Sequence, residues 1–196
     1  MKVAVIGGTG FVGVHLVDRL LADGHRPRLL VRPGSAHKVT CSADCEIVPG
    51  DLEQPGAIGR CLEGTEAVIY LIGLLREHPQ QGITFEAMHR VGVEETIAEA
   101  QTQGIERFLL MSANGVRADG TPYQRTKFQA EEALKASGLR WTIFRPSVIF
   151  GDPRGRMEFC SQLKRDLIDS PLPAPLFFPG WLPTGAGGFQ LAPVAV

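Results

Sequence analysis

The opening stretch "MKVAVIGGTGFVG" runs a continuously apolar segment straight into a turn with glycines at positions 7, 8, 10 and 13. Such a segment reads as a strand covered on both faces, and the amphipathic pattern "FVGVHLVDRLLADG" that follows reads as a helix. A chain that passes from one to the other within so few residues needs positions without Cβ, both to turn and to let helix and strand approach. Gly8, Gly10 and Gly13 form G-x-G-x-x-G, and Gly7, Gly10 and Gly13 form G-x-x-G-x-x-G in the same segment. In either register the early glycines let backbone approach a pyrophosphate, and Gly13 lets the helix pack on the sheet. The helix N-terminus adds unpaired N–H groups and the positive end of its dipole. The turn therefore predicts a dinucleotide site. It does not read as a signal peptide, because glycines interrupt the apolar stretch, Asp18 and Arg19 soon follow, and no small-residue cleavage site closes it.

Apolar strand-like runs alternate with helical ones along the first three quarters of the chain. "KVAVIG", "PRLLVR", "CEIVPGD", "EAVIYLIG", "RFLLMSA" and "RWTIFRPSVIFG" read as strands, and "ITFEAMHRVGVEETIAEAQTQG" and "YQRTKFQAEEALKASG" as long helices. This alternation predicts an α/β domain with a doubly wound parallel sheet. Gly24, Gly104 and Gly138 each fall just after a helical pattern, where a left-handed cap favours glycine. After Gly151 a short helical pattern gives way to "SPLPAPLFFPGWLPTGAGGFQLAPVAV", too rich in Pro and Gly for a long helix or a central strand. The expected organisation is a dinucleotide-binding domain over residues 1–151 and a Pro/Gly-rich C-terminal extension over 152–196.

A formal net charge of −1, with acids and bases interspersed, offers neither a basic footprint for nucleic acid nor a polybasic membrane segment. No run of apolar residues is long enough for a membrane span. Four cysteines, Cys41, Cys45, Cys61 and Cys160, are few for this length, and the Cys41/Cys45 pair lacks zinc-knuckle spacing and is assigned no metal or redox role. A cytoplasmic protein with a small-molecule partner is expected.

The second strand ends "LLVRPG", which puts Arg32 where a carboxylate would otherwise accept hydrogen bonds from an unmodified adenosine ribose. A guanidinium suits a phosphate there, which favours NADP with NAD as the alternative. His37 and Lys38 follow in the same loop and could add positive charge. Asp51, after the third strand, reads either as a hydrogen-bond acceptor for the adenine edge or as the N-cap of the next helix. In "GTPYQRTKFQAEEAL", Tyr123 and Lys127 stand four residues apart on one helical face. A nearby ammonium favours phenolate, so the pair could exchange a proton with a carbonyl or alcohol while a nicotinamide exchanges hydride.

"GGTGFVG", "GDL", "YLIG", "LLMSANG", "YQRTKFQAE" and "FRPSVIFG", spread from residue 1 to about 151, resemble an extended or atypical short-chain dehydrogenase/reductase with a Rossmann fold. Within that superfamily the chain is most similar to the branch of the 39-kDa-type accessory subunit of respiratory complex I and its bacterial relatives, on "FEAMHRVGVEETIAEA" before "GIERFLLMSANG". The resemblance implies cofactor contacts from Gly7, Gly10, Phe11, Val12, Arg32, Asp51, Leu52 and Lys127, from Leu71, Ile72 and Gly73, and from the segment containing Pro146. It implies Tyr123 as general acid/base, Lys127 as its helper and Ser112 as a possible assistant. The family's catalytic hydroxyl aligns best with Ala113, one residue after Ser112, and His89 stands where many extended members have asparagine. The resemblance further implies a homodimer through the two long helices. It also implies that substrate contacts lie in a C-terminal region beyond the "RPS" segment, so the chain reads as the start of a longer protein. Alternatively, Phe177, Phe178 and Trp181 form a short lid. Two functions follow: an NADP-dependent oxidoreductase or epimerase on a small carbonyl or alcohol, or a non-catalytic NADPH-binding scaffold or assembly subunit of a respiratory complex.

Overall fold

The computed structural model describes residues 1–39 and 43–156, and beyond them only positions 161, 164, 165, 169, 194 and 195. The expectations for Cys41, Cys160, Phe177, Phe178 and Trp181 lie outside the described residues. The chain divides into two compact units, Met1–Pro146 and Ser147–Val196.

The first unit is built on six parallel strands: β1 (Lys2–Ile6), β2 (Arg26–Val31), β3 (Glu46–Pro49), β4 (Ala67–Tyr70), β5 (Arg107–Met111) and β6 (Arg140–Phe144). They lie in the order β3-β2-β1-β4-β5-β6. The helices are α1 (Phe11–Ala22), α2 (Ala57–Leu62), α3 (Gly92–Thr102) and α4 (Pro122–Ala136). The doubly wound α/β architecture is the one the alternating pattern predicts. Strand order runs outward from β1 in one direction and from β4 in the other, so the crevice between them is the switch point at which such sheets bind ligands.

Both faces of the sheet are apolar because successive side chains of each strand point to opposite sides. Ala4 and Ile6 of β1 join the cluster built with α2, α3 and α4 through Ile58, Leu62, Ile97 and Leu134. Val3 and Val5 join the other cluster, with Val17 of α1. Gly24, Gly104 and Gly138 have φ of +76°, +70° and +74°, the left-handed conformation expected after each helix.

The pattern "FEAMHRVGVEETIAEA" does not form one regular α-helix. Residues Glu86–Val91 make a π-helical turn that leads directly into α3. Two contacts accompany the irregularity. The Tyr70 hydroxyl donates to the Met88 carbonyl at 2.6 Å, and a Cβ at Gly92 would stand 2.5 Å from that hydroxyl oxygen. The tyrosine tip thus occupies room that a side chain at position 92 would need.

Helix α4 starts where it does because Thr121 and Gln124 cap each other. Gln124 N–H donates to Thr121 Oγ1 at 3.3 Å, Thr121 N–H donates to Gln124 Oε1 at 2.9 Å, and Pro122 takes the first helical position. This places Tyr123 in the first turn. In the second unit, β7 (Ile149–Phe150) pairs in parallel with β8 (Val194–Ala195).

A Cβ on Gly13 would lie 2.3 Å from the Gly7 carbonyl oxygen and 2.7 Å from Gly8 Cα. Both obstacles are backbone and cannot swing aside, so Gly13→Ala is expected to cost about 1–3 kcal/mol of stability in urea denaturation. An unchanged midpoint and slope would contradict this packing.

Candidate dinucleotide and proton-transfer site

The segments singled out from the sequence follow the carboxyl ends of parallel strands. The glycine turn follows β1, Arg32 follows β2, Asp51 follows β3, Leu71–Gly73 follow β4, Ser112 follows β5, and Pro146 follows β6. Parallel strands end on one side of their sheet, so the fold gathers these segments along a single edge.

The glycines of the turn have different tasks. Gly7 has φ of +91°, a conformation that side chains rarely adopt. Gly13 brings α1 against the turn, as its missing Cβ shows. Gly10 is the N-cap of α1, its N–H donates to the Gly7 carbonyl at 3.1 Å, and no side chain caps the helix. A Cβ there would meet only the Gly7 oxygen, at 3.3 Å. Internal packing thus asks little of Gly10, and its bareness leaves a cradle in front of the first-turn N–H groups of Phe11, Val12 and Gly13. Such a cradle fits a pyrophosphate.

Arg32 is exposed, and among the described residues no ion pair engages its guanidinium. At Asp51, Oδ1 accepts the N–H of Leu52 at 2.7 Å. The helix-cap reading of Asp51 is corrected by the structure, because α2 begins only at Ala57 behind Gly56 in a left-handed conformation. Leu52 packs its side chain into the core.

Lys127 is 4 % exposed, and its Nζ donates to the Ile72 carbonyl at 3.0 Å and the Met111 carbonyl at 2.9 Å. It therefore ties together the chain emerging from β4 and the end of β5. Burial pulls its pKa down to about 8, against the upward pull of the Glu131 carboxylate. One turn earlier, Tyr123 is half-buried, and burial raises its phenol above the ordinary value. The expectation that the ammonium dominates and lowers the phenol is thereby corrected. Tyr123 packs edge-on against Phe85 and His89, with ring centroids 5.6 and 5.3 Å apart.

Ser112 is turned inward. It is 4 % exposed, and its hydroxyl donates to Glu131 Oε1 at 2.5 Å. Glu131 is fully buried, also accepts both ends of the Arg145 guanidinium, and has Lys135 Nζ 3.7 Å away. Burial raises the Glu131 carboxyl, but the hydrogen bonds from Arg145 and Ser112 outweigh it and leave the net pKa lowered. The hydroxyl expected to assist at a substrate carbonyl is committed to this network, and the next residue, Ala113, has none. Sequence reasoning missed Glu131 and the pairing of Arg145 with it. The signal was present, because Glu131 continues the four-residue spacing of Tyr123 and Lys127 along α4.

A family model described as NAD(P)H-binding matches residues 7–167. The chain belongs to this NAD(P)H-binding family. It is 35 % identical over 150 residues to the ceramide reductase of Caulobacter vibrioides, covering 76 % of this chain and 46 % of that protein. It is 30 % identical over 146 residues to the photosystem II assembly factor Ycf39 of Trieres chinensis, covering 74 % and 45 %. It is 30 % identical over 178 residues to the uncharacterized sugar epimerase YhfK of Bacillus subtilis, covering 86 % and 82 %. A short-chain dehydrogenase/reductase superfamily protein of Agrobacterium tumefaciens shares the fold, with a TM-score of 0.63 and 23 % identity over 77 % of this chain and 50 % of that one. The chain thus spans under half the length of the first two relatives. Among the described residues no helix of this NAD(P)H-binding chain is long and apolar enough to cross a membrane.

The low proton affinity of Lys127 has a measurable consequence. With a folded pKa of about 8 against an ordinary 10.5, the unfolded chain binds this proton more tightly. Stability therefore carries the full penalty below about pH 8 and rises between there and about 10.5. Subtracting the stability–pH curve of Lys127→Met from that of the unaltered chain is expected to isolate this rise. A flat difference would contradict the buried, charged lysine.

Proposed function

We propose that the chain binds NADP(H) along the carboxyl edge of its sheet and that the protein it belongs to is an oxidoreductase or epimerase acting on a small carbonyl or alcohol. The observation that carries this reading is Lys127, buried one turn from Tyr123 with its Nζ fixed on the carbonyls of Ile72 and Met111. A buried ammonium is costly to keep, and it is kept beside a phenol at the edge where the cofactor fits. The cofactor, when bound, supplies or accepts the hydride.

The protein's own groups handle the proton. Tyrosine is ordinarily a phenol near neutral pH and burial raises Tyr123 further, so in carbonyl reduction it would give its proton to the substrate oxygen as the carbon gains hydride. The alcohol and a phenolate would result, the Lys127 ammonium one turn along α4 would offset the phenolate charge, and Tyr123 would be reprotonated from solvent. Phe11 and Val12 offer main-chain N–H groups to the pyrophosphate. Arg32 supports NADP over NAD, because its guanidinium follows β2 with no ion pair among the described residues. The ceramide reductase relative supports the reductase class.

A second reading is favoured by Ser112. With its hydroxyl donated to Glu131 and alanine next in the chain, β5 offers no hydroxyl to polarise a substrate carbonyl. A scaffold or assembly protein that binds NADPH without turnover fits that observation, and one relative bears the name of an assembly factor. Bound nucleotide would stabilise such a protein by mass action alone.

Thermal-shift titrations with NADPH, NADP, NADH and NAD test the cofactor reading. NADPH and NADP are expected to raise the melting temperature most, and Arg32→Asp to abolish that preference. An unaltered preference in Arg32→Asp would remove Arg32 from the site. Oxidation of NADPH with a panel of small ketones and aldehydes separates the two functions. Tyr123→Phe is expected to lower any turnover by roughly 10²–10⁴-fold, whereas binding without turnover across the panel supports the scaffold.

A further inference from the structure

Histidine 89 lies at 1 % exposure in the π-helical turn Glu86–Val91, with its ring between three parts of the fold. The Leu74 N–H points to Nε2 at 3.0 Å, and Nδ1 stands 3.3 Å from Thr126 Oγ1. The ring stacks on Phe85 at 5.3 Å and meets Tyr123 edge-on.

The hydrogen bonds determine the tautomer. A backbone N–H can only donate, so Nε2 accepts from Leu74 and carries no proton. A neutral imidazole must then hold its proton on Nδ1, which donates to Thr126 Oγ1. The threonine hydroxyl in turn donates to the Pro122 carbonyl at 2.9 Å, with the Tyr123 carbonyl 3.2 Å away. One directional chain of hydrogen bonds thus runs from the segment after β4, through the imidazole, into the first turn of α4. That segment is gripped a second time, because Lys127 holds the Ile72 carbonyl.

We infer that His89 is a positioning residue for Tyr123: a neutral imidazole protonated on Nδ1 that fastens the start of α4 to the Ile72–Leu74 segment and braces the tyrosine ring. This rests on the reading of Tyr123 as the proton donor. His89 sits within the π-helical turn, and from there its ring reaches both the segment after β4 and α4. Burial and the Lys127 ammonium push the imidazole pKa down to about 3, in keeping with a ring that stays neutral. A charged ring could not accept from Leu74, so the brace exists only in the neutral form.

Nuclear magnetic resonance reads each part without nucleotide or substrate. Long-range proton–nitrogen spectra are expected to show His89 with a protonated Nδ1 and a bare Nε2, unchanged between about pH 5 and 8, where an ordinary histidine titrates. Protein labelled at tyrosine Cζ carries signals from Tyr70 and Tyr123. In His89→Leu, which loses ring and hydrogen bonds together, the Tyr123 signal and the Leu74 amide are both expected to shift. In His89→Gln, whose amide oxygen can accept from Leu74, the Leu74 amide is expected to return toward its original position. A proton on Nε2, or titration between pH 5 and 8, would overturn the inference, as would an unmoved Tyr123 signal in folded His89→Leu. If His89→Leu does not fold, the tautomer and titration of the unaltered chain decide. Absence of NADP(H) binding would overturn the cofactor reading and leave these results standing.

Discussion

The close approach of α1 to the turn after β1 is the constraint on which the rest depends. With 2.3 Å between an imagined Gly13 Cβ and the Gly7 oxygen, no side chain fits, and the helix start is pressed onto the edge of the sheet. Its first N–H groups therefore open beside the switch point between β1 and β4. A looser turn would keep the sheet, which β2 and β4 hold on either side of β1, but would lose the placement of that helix end. Fold and site are joined at this contact.

The opposite side of the crevice is organised by buried charge. An ammonium in an apolar interior is unfavourable unless its donors are satisfied and an opposite charge is near. Lys127 meets both conditions through two carbonyls and the Glu131 carboxylate one turn along α4. Glu131 needs partners of its own and finds them in Ser112 and Arg145, which come from the ends of β5 and β6. The network thus does for β5, β6 and α4 what the glycine contact does for β1 and α1. The serine that a sequence reader assigns to chemistry is used here to hold a carboxylate.

Much of this was legible because it follows from periodicity and from residues with narrow physical uses. Strands covered on both faces are continuously apolar, so β1 and β4 stood out at once, the remaining strands followed from the alternation with helices, and the glycines after helices marked left-handed caps. The Tyr123 and Lys127 pair was visible because four residues make one turn. What escaped reading depends on three-dimensional accommodation. The π-helical turn arises beside the Tyr70 hydroxyl, which comes from another strand and leaves no local mark near residue 88. Asp51 looked like a helix cap because a carboxylate before a polar run often is one, yet Gly56 takes that position. The direction of the Tyr123 shift required knowing its burial, which spacing along a helix does not reveal.

The most direct test of the central claim is the backbone amide spectrum of the chain on addition of NADPH. A dinucleotide lying along the carboxyl edge is expected to move the amides of Gly8–Gly13, Arg32, Leu71–Leu74 and Tyr123 while leaving the opposite edge of the sheet unmoved. Saturable binding that leaves the Gly10, Phe11 and Val12 amides in place, or no binding at all, would contradict the account.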